Sequence, residues 1–82
     1  MQNTFPLSSL QTTQSAIIYR LEGEQFMRER LENLGFTEHS PITCQFASAL
    51  GDPRAYQIRS TVIALRQKDA KNVLCYHCEE IL

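Results

Sequence analysis

The sequence predicts a mainly β (α+β) domain: a small barrel of five short strands carrying one main helix and short helical turns. Two observations point to it. Within residues 42–65, apolar Ile42, Cys44 and Phe46 alternate with Thr43, Gln45 and Ala47, and the alternation resumes at Tyr56 and Ile58 against Gln57 and Arg59. That is the two-residue period of half-buried strands. Only one stretch, residues 24–34, has helical spacing, with Met27, Leu31 and Leu34 at i, i+4 and i+7. The chain has 82 residues, which suits one domain over 1–82 with a thin core.

In chain order, Leu7 and Leu10 are three apart and fit one helical turn, with Ser8 or Ser9 as its cap. Polar residues 11–14 read as a loop. The first strand is Ser15–Leu21, with Ala16, Ile18 and Arg20 on one face and Ile17, Tyr19 and Leu21 on the other. Apolar groups on both faces suit a strand curving within a small barrel. Glu24 opens the helix and is spaced to pair with Arg28. Gly35 is placed as the left-handed residue that stops it, folding Phe36 back onto Leu31.

Residues 37–41 turn the chain into the meander. Gly51-Asp52-Pro53 breaks the meander because Gly51 accepts positive φ and Pro53 has no N–H to donate. Thr61–Leu65 is a further β-branched run. Charged residues 66–72 allow one or two helical turns, and Val73–Tyr76 closes as the last strand, leaving 77–82 as a tail. Five short strands in this order fit a partly open barrel of the SH3-like kind.

Composition is that of an ordinary soluble domain, 43% hydrophobic and 21% charged. A net charge of −1 argues against nucleic-acid binding. Arg66, Lys68 and Lys71, with Arg54 and Arg59, read as a solvated face. The N-terminus lacks a basic start and a long apolar run, so it does not read as a signal peptide, and no apolar run is long enough to insert in a membrane. Three cysteines without an export signal favour free thiols in a cytoplasmic protein.

The loudest chemical signal is Cys75-Tyr76-His77-Cys78. Cys75, His77 and Cys78 form an alternative metal-ligand set, but a closed zinc site needs four ligands and the spacing recurs nowhere else. The favoured reading makes Cys75 a core residue and the others part of the tail, with no metal and no cofactor. Neither histidine lies in a catalytic pattern, and Asp52 reads as a turn residue, so no enzyme is expected. A polypeptide-binding surface is expected instead. The helix should leave a groove rimmed by Phe26, Met27 and Arg30, with Tyr56 a further candidate from the meander.

Two segments together resemble the ferrous iron transport protein A (FeoA) family. Arg30-Leu31-Glu32-Asn33-Leu34-Gly35-Phe36 is similar to that family's R-L-x-x-L-G-apolar helix end. Ala49-Leu50-Gly51-Asp52-Pro53, followed by Ile58 and then Ile63-Ala64-Leu65-Arg66-Gln67-Lys68-Asp69-Ala70, is similar to its L-G-D-P turn and a-L-R-x-x-[DE]-A segment. The spacing fits over nearly the whole chain. Thr13 stands where the family usually has glycine, and Glu38-His39 where it usually has Pro-Gly. The resemblance implies an SH3-like barrel and a non-catalytic accessory protein of bacterial ferrous iron uptake. Its implied partner is the transporter FeoB, through that protein's cytoplasmic GTPase region. The alternative it leaves is a small metal-binding or metal-sensing protein akin to the SH3-like regulatory domain of iron-dependent repressors.

Overall fold

The computed structural model describes residues 3–77. Its strands are β1 (Thr4–Pro6), β2 (Ser15–Leu21), β3 (Pro41–Ala47), β4 (Arg54–Ile58), β5 (Thr61–Leu65) and β6 (Val73–Tyr76). Helix α1 (Gln25–Leu34) joins β2 to β3, and the one-turn helix α2 (Gln67–Ala70) joins β5 to β6. A 3₁₀ turn, Leu7–Ser9, follows β1. All pairings are antiparallel, in the order β1-β6-β2-β3-β4-β5.

Among the described residues the sheet has six strands rather than the expected five. The addition is β1, where Thr4, Phe5 and Pro6 lie opposite Tyr76, Cys75 and Leu74. Three residues ending in proline leave no alternation to read.

The core lies inside the bent sheet under α1. Ala16 and Ile18 of β2, Ile42 and Cys44 of β3, Tyr56 and Ile58 of β4, and Val73 and Cys75 of β6 meet Leu7, Leu10, Leu31 and Phe36 there. The expected inward face of β3 holds only as far as Cys44. Cys44 faces Tyr56 and Phe46 faces Ala55, so Gln45 is an extra residue in a bulge. Beyond the bulge Phe46 lies on the outer face, 59% exposed. A second irregularity, between Ile18 and Arg20 in β2 against β6, leaves Tyr19 exposed.

Local interactions differ from expectation at three places. No serine side chain caps the 3₁₀ turn. Ser9 Oγ instead donates back to the Pro6 carbonyl at 2.8 Å. The Arg28 guanidinium donates to the Gly23 carbonyl rather than pairing with Glu24. Arg54 is not part of a solvated basic face. Its Nη1 donates to the Leu10 carbonyl at 2.6 Å and the Ser8 carbonyl at 3.3 Å, tying β4 to the 3₁₀ turn. Among the described residues no helix is long and apolar enough to cross a membrane.

Candidate partner-binding site

Helix α1 is held at both ends. Before it, the Glu22 N–H donates to the Asn72 carbonyl at 2.7 Å, fixing the exit from β2. After it, Gly35 sits at φ 110°, its N–H donates to the Glu32 carbonyl, and the Phe36 N–H donates to the Leu31 carbonyl. These are the two bonds of a Schellman stop. Leu31 and Phe36 are both buried in the core, and Met27 packs partly against it.

This anchoring sets the rotation of α1. Met27 and Leu31 face the core, so Phe26 faces away and is 76% exposed. Arg30 and Leu34 follow Phe26 at i+4 and i+8 and extend its stripe. Leu34, expected on the buried face, is 39% exposed. The ring of Phe26 stands between two shallow hollows. One is lined by Gly23, Glu24, Met27 and Asn72. The other, about 320 Å³, is lined by Glu29, Arg30, Asn33 and Leu34. The surface is therefore an apolar ridge of Phe26 and Leu34 flanked by Arg30 and two acidic side chains. Exposed aromatic and arginine side chains of this kind are enriched at protein interfaces.

Tyr56, expected to contribute from the meander, does not reach this surface. It is fully buried, and its hydroxyl accepts from Gln67 Nε2 at 3.1 Å. Burial pushes the phenol up from its usual range. The alternation of β4 places Tyr56 inward beside Ile58, and a large phenol at an inward position becomes core.

The alternative metal set is not brought together by what is described. Cys75 is fully buried on β6, and burial pushes its thiol up to about 12, so it is a neutral core group. His77 is exposed and lies against Phe5, ring centroids 4.5 Å apart. Cys78 lies outside the described residues. Among the described residues no three His, Cys, Asp or Glu side chains cluster to hold a metal.

Sequence reasoning missed other exposed apolar groups: Leu50 at 94%, Phe46 and Val62. Leu50 sits in the turn that closes β3 onto β4, where the Gly51 N–H donates to the Ser48 carbonyl and the Ser48 N–H to the Pro53 carbonyl. Its place directly before the Gly-Asp-Pro breaker was the one available signal.

The model of the FeoA domain family matches residues 5–77, nearly all of the described chain. This chain belongs to the FeoA domain family. A fusion protein of Porphyromonas gingivalis, an Fe(2+) transport protein A joined to the Fe(2+) transporter FeoB, is 36% identical over 67 residues. That match covers 82% of this chain and spans only 8% of the length of the fusion protein. Among solved structures, a FeoA-like protein from Clostridium acetobutylicum superimposes with a TM-score of 0.88 at 21% identity, covering 100% of this chain and 95% of that one. The FeoA of Stenotrophomonas maltophilia, a prokaryotic SH3 domain protein solved with zinc, gives 0.76 at 27% identity, covering 87% and 88%. The SH3-like class expected from strand order is thus the fold of the family. FeoA domains are small accessory domains of ferrous iron transport, not a known enzyme family.

Proposed function

We propose that this FeoA-family chain is a cytoplasmic accessory protein that docks on the cytoplasmic GTPase region of FeoB through the outer face of α1. One observation carries the choice of partner: a relative at 36% identity has the two proteins in a single polypeptide. Fusion places the FeoA part at high effective concentration beside FeoB, which is useful where separate chains otherwise meet by diffusion. The surface is supported by the exposure of Phe26 on a helix whose far side is fixed in the core. An aromatic ring with an arginine one turn away is the composition that anchors interfaces.

Calorimetric titration of the chain into the isolated cytoplasmic region of FeoB tests this reading, with and without bound guanine nucleotide. Saturable one-to-one binding is expected. Absence of heat and of any mass change on mixing, in every nucleotide state, would remove the proposed partner region.

A further inference from the structure

The two edges of the sheet are built differently. At one edge β1 is three residues long, ends in Pro6, which has no N–H, and runs straight into the 3₁₀ turn. Brevity and proline are the usual protections of an edge. At the other edge β5, Thr61-Val62-Ile63-Ala64-Leu65, contains neither proline nor charge, and Thr61, Val62 and Ala64 are exposed. Among the described residues it pairs with β4 alone.

The register shows which backbone groups that edge offers. Arg59 and Ser60 form a two-residue hairpin closed by the pair Ile58–Thr61, with Arg59 at φ 56°. The closing pair of such a hairpin exchanges hydrogen bonds, and along an antiparallel ladder bonded and non-bonded pairs alternate. Thr61, Ile63 and Leu65 therefore turn their N–H and C=O groups towards Ile58, Tyr56 and Arg54. Val62 and Ala64 turn theirs outward. No turn or loop hydrogen bond among the described residues reaches those two.

We propose that two copies of this chain pair through β5, antiparallel and two-fold symmetric about Ile63. In that register Ile63 faces its own copy, and Val62 faces Ala64 of the second chain. The outward groups of both residues then meet, and Val62 and Ala64 exchange two hydrogen bonds on each side of the axis. Side chains match as well, because the larger valine lies against the smaller alanine twice. The inner and outer faces of the two sheets stay continuous, since directly opposite residues share a face. The outer row Phe46–Ala55–Ala64, set by the β3–β4 and β4–β5 registers, is prolonged by Val62 of the second copy. An isologous contact of this kind closes at two chains. It uses neither Phe26 nor Arg30 and is independent of the proposed docking face.

Sedimentation at increasing concentration, combined with amide exchange on the same samples, tests the pairing. The mean mass is expected to rise from one towards two chains. Over the same range the Val62 and Ala64 amides should pass from free exchange to protection, whereas the Ile63 amide is protected throughout. Ala64→Lys, with the thermal unfolding of the parent, should remain at one chain. Val62→Pro, which removes an outward N–H and no ladder bond, should do the same. A parent chain that stays at one chain at every concentration would overturn the proposal. So would a dimer whose Val62 and Ala64 amides exchange freely, a folded Ala64→Lys chain that dimerises like the parent, or protection at β5 that appears only when another protein is added.

Discussion

Thr13 and His39 sit at φ 74° and 67°, in the left-handed region that glycine favours. They are two of the positions where this chain departs from the FeoA pattern. The turns keep their shape because the backbone bonds around them are retained. The Thr13 N–H donates to the Cys44 carbonyl and the His39 N–H to the Ile18 carbonyl, each at 2.7 Å. A β-branched residue held there costs about 1–2 kcal/mol, of which the unfolded-state entropy of glycine offsets about 0.4–1. Thr13→Gly should therefore raise the unfolding free energy by about 0.5–1 kcal/mol in denaturant titration. Gly35, at φ 110° with open space where a Cβ would stand, is the converse case, since its strain is purely conformational. Gly35→Ala should lower the denaturation midpoint by the equivalent of more than ~1 kcal/mol. An unchanged midpoint would contradict the Schellman stop. Cys75 gives a pH dependence. Its thiol ionises near 9.0 when unfolded but only at about 12 when folded. The folded state thus keeps a proton the unfolded state loses. Stability from this group is full below pH 9 and falls as pH rises towards 12, by at most about 1.4 kcal/mol per unit. Urea midpoints measured from neutrality to pH 10.5 should show this fall, and Cys75→Ala should flatten part of it.

Helix α1 divides its work between two faces. Leu31, buried under the sheet, carries the attachment, and Leu31→Ala should cost about 2–5 kcal/mol in thermal or chemical unfolding. A loss below that range would mean that α1 is held mainly by its ends. The span of this helix and its stop were legible because 3.6-residue spacing and a following glycine are local signals. Strands β2 to β6 were legible for the same reason. The rotation of α1 was not: Met27, Leu31 and Leu34 fit one face by spacing alone, yet Leu34 is half exposed, because the Schellman turn pulls Phe36 rather than Leu34 into the core. Phe46 failed similarly. A bulge at Gln45 depends on register against β4, which the alternation of a single strand does not encode. Tyr56 shares the alternation of Ile58 against Gln57 and Arg59, and that alternation, rather than its aromatic character, marks it as core.

At the scale of the whole molecule, the two motif segments meet in space. Asp52, in the turn before β4, accepts from the Gln67 N–H at 3.0 Å, and Gln67 in turn donates to buried Tyr56. The L-G-D-P turn thus holds the start of α2 and, through it, the centre of the barrel. This gives the motif a role in fixing the shape of the domain without any catalytic step. A helix fixed in this way is a ready-formed ridge, and under the proposed docking that would lower the ordering cost of binding. Whether this ridge engages FeoB is decided by titrating folded Phe26→Ala against the FeoB cytoplasmic region beside the parent chain. Loss of an aromatic anchor should weaken binding by about 2 kcal/mol, roughly thirtyfold, with the unfolding midpoint unchanged. Arg30→Ala should weaken it in the same direction. Parent-like affinity in both variants would contradict the assignment of the α1 face.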